Sequence, residues 1–163
     1  MAHDWIDQGL QQIREREEQH RLASERRLHQ ATVIKQKGPE LMRRLVAEVG
    51  AAVDEYRQGA RFGSTEIELE VLPDEGFCVT RTKLPRVSLE CRPGYETHAV
   101  HCNMTRSDDQ EIAPQEFVFS LGMTVDDSDD IVMCNETRPF ESLDEVLEFL
   151  LKPVLFPTLD QDL

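Results

Sequence analysis

In Ser64-Thr65-Glu66-Ile67-Glu68-Leu69-Glu70-Val71, acidic and apolar residues alternate without a break from Glu66 onward. A period of two marks a strand half-buried in a sheet, here with Ile67, Leu69 and Val71 on one face and an acidic outer face. Pro73-Asp74-Glu75-Gly76 follows as a turn by composition. Residues 77–82 then form a second strand and close a hairpin. The pattern continues over 86–92, with Val87, Leu89 and Cys91 on one face, and turns at Pro93-Gly94. Strands over 95–105 (Val100, Cys102 and Met104 inward), 115–125 (Phe117, Phe119, Leu121 and Met123 alternating) and 130–137 complete six. Short strands joined by turns predict an antiparallel meander.

Downstream, Ser142 and Glu145 make the S-x-x-E capping box of a helix. Leu143, Val146, Leu147 and Leu150 supply its apolar stripe. Pro153 predicts its end near Leu151, with Val154, Leu155 and Phe156 as an extended apolar tail.

Upstream, the period is helical. Met42, Val46, Val49 and Val53, widened by Leu41, Leu45, Ala52 and Tyr56, form a broad core-facing stripe. Gly59 and Gly63 stand where a C-terminal cap and a turn are expected. Gly38-Pro39 predicts a break, giving helices over 4–36 and 39–58, with one continuous kinked helix as the alternative. Asp4 is positioned to cap the first. Ile6, Leu10 and Ile13 share a face with Trp5 beside it. Between Arg14 and Gln30 the apolar residues are only Leu22, Ala23 and Leu28. A helix so polar all round projects, bridges or packs along a partner.

Read as heptads, Ile6, Ile13, His20, Arg27 and Ile34 fall at one core position, and Leu10, Glu17, Ser24 and Ala31 at the other. Only the ends resemble a seam. Burying Glu17, His20 and Arg27 without partners is costly, so a long regular homodimeric coiled coil is not expected. A looser helix pairing anchored at both ends is compatible with the pattern.

The fold class is therefore α+β. A helical arm over 1–37 precedes a single domain over 38–163, in which a core helix and a C-terminal helix cover one face of a six-stranded antiparallel meander. A chain of 163 residues is long enough to bury a core without staples.

The net charge of −14 is unevenly spread. Residues 1–60 hold ten acidic and ten basic side chains, whereas residues 61–163 hold 22 and 8, so the whole excess lies in the second part. Between 26 and 44 the sign reverses locally, with Arg26, Arg27, Lys35, Lys37, Arg43 and Arg44 against Glu40 alone. The acidity argues against a general nucleic-acid binder and against docking on anionic lipid. The basic segment also lacks interleaved aromatics to stack on bases. No apolar run is long enough to span a membrane. Residues 1–10 lack a basic region followed by an apolar one, which predicts no secretory signal and a cytoplasmic location.

Chemistry-bearing motifs are scarce. Cys78, Cys91, Cys102 and Cys134 contain no C-x-x-C pair and read as free thiols of a reducing compartment. His98, His101 and Cys102 are the most metal-like group, but a strand there would turn His101 away from the other two. Asp126-Asp127-Ser128-Asp129-Asp130 lacks the glycine and distant glutamate of a calcium loop and reads as a charged turn. No phosphate-binding, dinucleotide, zincin or nucleophile-elbow motif occurs. No catalytic residue, metal site or cofactor is predicted.

The small, acidic, mixed helix-and-sheet profile is similar to that of secretion chaperones and toxin-neutralising immunity proteins, but no motif carries the likeness and no residue role follows from it. The expected function is a non-catalytic interaction protein: an adaptor, chaperone-like or neutralising partner. It would contact another protein, or itself, through Trp5, Ile6, Leu10, Ile13, Arg26, Arg27, Lys35 and Lys37. The alternative is a small-ligand-binding or enzymatic domain with a pocket between sheet and helix, lined by Tyr95, His98, Phe117 and Phe119.

Overall fold

A computed structural model describes residues 3–60 and 66–157. The chain forms one long helix, α1 (Asp4–Gly59), then six strands and a closing helix. The strands are β1 (Ile67–Val71), β2 (Phe77–Arg81), β3 (Arg86–Gly94), β4 (Ala99–Ser107), β5 (Gln115–Val125) and β6 (Ile131–Cys134). The closing helix is α2 (Leu143–Leu155). Each strand pairs antiparallel with the next, in the order β1-β2-β3-β4-β5-β6. The expected α+β meander is the observed architecture.

Both helices lie on the sheet face that carries the apolar half of each strand. Phe77, Val79, Leu89, Cys91, Val100, Cys102 and Leu121 meet Met42, Leu45, Val49 and Val53 of α1 and Val146, Leu150, Leu151 and Val154 of α2. No polar or charged residue among those described is buried. Among the described residues, the opposite face carries no helix. It shows Glu68 and Glu70, Thr80, Ser88, His101, Asn103, Glu116 and Ser120 to solvent, fully or in part.

Two predicted helix breaks do not occur. The helix runs through Gly38-Pro39, so the single-helix reading holds. An interior proline costs about 3 kcal/mol. The core overrides it because Ile34, before the proline, and Met42, after it, are both fully buried. Breaking the helix would tear one of them from the core. Likewise α2 continues past Pro153, since Val154 and Leu155 are buried rather than trailing in an extended tail. Its start is as expected: Ser142 Oγ accepts from the Glu145 N–H, and Glu145 Oε2 accepts from the Glu141 N–H. Asp4 is not a cap. It is the first helical residue, and the N-cap residue His3 makes no side-chain capping bond.

Strand ends also shift. β3 runs on through Pro93 to Gly94, and the turn moves to residues 95–98. β6 stops at Cys134, because Asn135 Oδ1 accepts the N–H groups of Thr137 and Arg138 and closes a turn. Gly63 and the predicted strand start at Ser64 lie outside the described residues.

Candidate functional site

Where α1 meets the sheet domain is sharply defined. Its first buried residues are Val33 and Ile34. The first contact across space comes from His29, whose Nε2 lies 2.8 Å from Asp129 Oδ1 in the β5–β6 turn. One turn past Val33, Lys37 Nζ donates to the Asp129 carbonyl at 2.6 Å and sits 3.6 Å from Asp130. Asp129 itself holds a left-handed backbone (φ 59°), which asparagine and aspartate tolerate better than most residues.

N-terminal to His29, the side-chain hydrogen bonds and ion pairs seen among the described residues stay within the helix itself. Trp5 is 72% exposed, Ile13 54% and Leu28 70%, and Ile6, Leu10 and Leu22 are exposed as well. Twenty-five residues of helix from Asp4 to Leu28 extend roughly 37 Å. This arm is held helical by its composition and by pairs along its surface. Arg21 bonds Glu18 at 2.5 Å and Glu25 at 2.7 Å, and Gln11 donates to Glu15 at 3.4 Å. Such pairs add a few tenths of a kcal/mol each. The bond from Arg21 holds the Glu18 carboxyl below its ordinary range. Starting an isolated helix is unfavourable, because the first turn fixes several residues for a single hydrogen bond. Continuity with the packed half of α1 removes the nucleation step and fixes its direction.

The predicted contact residues therefore divide. Trp5, Ile6, Leu10 and Ile13 stand on the arm, exposed, and do not fold back on the second half of α1. Arg26, Arg27 and Lys35 are exposed near the root. Lys37 is occupied inside the chain by the β5–β6 turn.

The four residues of the alternative pocket do not come together. Tyr95 and His98 belong to the β3–β4 turn, and His98 has φ 54°, so it shares no strand face with Cys102. Tyr95 packs its ring on Gly38 and donates its hydroxyl to Glu75 Oε2 at 2.5 Å. Burial and that carboxylate push its phenol above the ordinary range. Phe117 pairs with Met104, five residues along β4 from Ala99, or roughly 17 Å away at about 3.4 Å per residue. Phe119 is engaged in sheet-helix packing, its ring edge-on to Phe149 at 5.9 Å. His101 faces the open side of the sheet, between Thr97 Oγ1 at 2.8 Å and Ser120 Oγ at 3.1 Å. Among the described residues, no three His, Cys, Asp or Glu side chains converge as metal ligands would.

Sequence reasoning missed the His29–Asp129 and Lys37–Asp129 contacts and the seat of Tyr95 on Gly38. Each joins residues far apart in the chain, and none has a local pattern. No protein-family model, no curated protein and no solved structure matches the chain.

Proposed function

We propose that the protein is a non-catalytic interaction protein, with the sheet domain as a folded base and the N-terminal half of α1 as its contact element. The observation that carries this reading is the arm itself. It is about 37 Å of helix whose aromatic and aliphatic side chains, Trp5, Ile6, Leu10 and Ile13, contribute nothing to the chain's own core. Large apolar side chains clustered on an exposed element are the usual anchors of protein interfaces. The absence of convergent polar groups among Tyr95, His98, Phe117 and Phe119 weighs against the pocket reading.

The test compares the full chain with a W5S/I6S/L10S/I13S variant. Association is read twice, by mass in solution and by the proteins cross-linked to purified chain in a cell extract. The variant is expected to lose association by at least one readout, with the thermal midpoint of the sheet domain unchanged. Identical mass and identical cross-linked proteins for both chains would overturn the reading.

A further inference from the structure

Resting on that reading, we infer that the partner of the arm is the arm of a second copy, packed antiparallel, with residues i and j opposite each other when their numbers sum to 37. Three features select this arrangement.

The first is charge. In a parallel, in-register pair, each core residue meets its own copy. Glu17 would face Glu17 and Arg27 would face Arg27, burying like charges. In an antiparallel pair, the two core positions face one another. Ile6 then meets the partner's Ala31, Leu10 the partner's Arg27, and Ile13 the partner's Ser24. At the centre, Glu17 meets the partner's His20, and symmetry makes that contact twice. An imidazole N–H donates to a carboxylate in either protonation state of the ring. The polar middle, which spoils a parallel seam, becomes two complementary pairs. Arg27 covers Leu10 with its aliphatic stem and keeps its guanidinium in water. The flanking contact of Arg14 with the partner's Arg21 joins like charges, but Arg21 is already balanced by Glu18 and Glu25 on its own helix.

The second feature is length. The first helical residue is Asp4 and the first buried residue of α1 is Val33. Those numbers sum to 37. Ile34, on the same seam, is fully buried against its own sheet domain, so the seam face is closed from there on. A partner helix laid in this register ends opposite Val33, where α1 first becomes buried, about one turn past the first sheet-domain contact at His29.

The third is the cost of the neighbouring registers. Sliding one heptad further in sets Leu10 opposite the buried Ile34 and drives the tip into the sheet domain. Sliding one heptad out sets Glu17 opposite Ile13 and His20 opposite Leu10, leaving both polar groups against aliphatic ones. The result is a closed two-fold dimer with a self-complementary interface.

The experiment is the mass of the full chain by size exclusion with light scattering, followed by charge exchange. The expected mass is twice that of one chain. E17K sets a lysine against His20, and H20E sets two glutamates together, so each alone weakens dimerisation at least tenfold. E17K/H20E restores it, because a lysine and a glutamate then face each other. A parallel pair gains nothing from the double exchange. In parallel, I13C/S24C forms an oxidised dimer that neither I13C nor S24C forms alone. All of these positions are exposed or half-exposed, and an unchanged thermal midpoint confirms that the variants fold. A monomeric full chain, a double exchange that fails to restore the dimer, or a dimer cross-linked by I13C alone would each overturn the pairing. A monomer that still loses a cross-linked protein when Trp5, Ile6, Leu10 and Ile13 are replaced ends this inference and leaves the broader reading standing.

Discussion

The ring of Tyr95 occupies the space where a side chain at residue 38 would stand: a Cβ on Gly38 would lie 2.7 Å from Tyr95 Cδ1. Gly38 thus serves tertiary packing within a helix that its own propensity weakens. The ring cannot swing aside freely, because its hydroxyl is tied to Glu75. Gly38→Ala is therefore expected to destabilise the protein by about 1–3 kcal/mol, although alanine is favoured over glycine by about 1 kcal/mol in a helix. Urea denaturation measures the sum. Adding Tyr95→Ala should remove the clash and bring back the propensity gain, and a stabilised single variant would contradict the packing account.

Buried and exposed helix positions should respond unequally to truncation. Leu150→Ala and Val49→Ala remove fully buried side chains. The leucine change is expected to cost about 2–5 kcal/mol, and the valine change somewhat less. Ile13→Ala removes an exposed one, and its effect on unfolding of the monomer should stay within about 0.5 kcal/mol. Chemical denaturation at low protein concentration, where association is negligible, separates them.

Acid should weaken the fold through named carboxylates. Glu66, bonded by Lys83 and facing Arg81, and Asp74, bonded by Arg92, are both held below their ordinary ranges. A carboxylate with a depressed folded pKa stabilises above its unfolded value, about 4, and that contribution is lost as pH falls through the folded value. Urea midpoints should therefore be level near neutrality and fall below about pH 4. The fall should be shallower in E66Q. An equal fall in both proteins would remove Glu66 from the explanation.

Thiol chemistry should divide along the sheet's two faces. Cys91 and Cys102 are opposite each other on β3 and β4, buried, with sulfurs 3.4 Å apart. The contact with Cys102 and burial raise the Cys91 thiol far above its ordinary range, which disfavours the reactive thiolate. Cys78 and Cys134 are half-buried on the other face. A disulfide exchange reagent should label Cys78 and Cys134 in the native protein, and Cys91 and Cys102 only on unfolding. Mass mapping of labelled peptides reads the result directly.

The sheet was legible because alternation is a local signal with a fixed period. Ile67, Leu69 and Val71 against Glu66, Glu68 and Glu70 need no distant information to be assigned. The helix through Pro39 was not, because local propensity argues for a break and only burial on both sides of it argues against. Pro153 misled in the same way, with Val154 and Leu155 as the deciding pair. The alternation around His98 points to a strand, yet its left-handed backbone belongs to a tighter turn than composition indicates. The arm was readable as a thinning stripe of apolar residues. Whether Trp5 and Ile6 would fold back on the chain depended on the direction of α1, which no window of sequence encodes.

The continuity of α1 has a mechanical side. The helix is clasped near its middle at the β5–β6 turn by His29 and Lys37, and its C-terminal half is rooted among Met42, Leu45, Val49 and Val53. The exposed half is therefore a stiff lever with its fulcrum at the edge of the sheet. A partner gripping the tip finds an element whose orientation is already set, so little conformational freedom remains to be lost on capture. Any sideways load on Trp5 is delivered to the core as torque, and the His29 and Lys37 contacts are the first bonds to feel it.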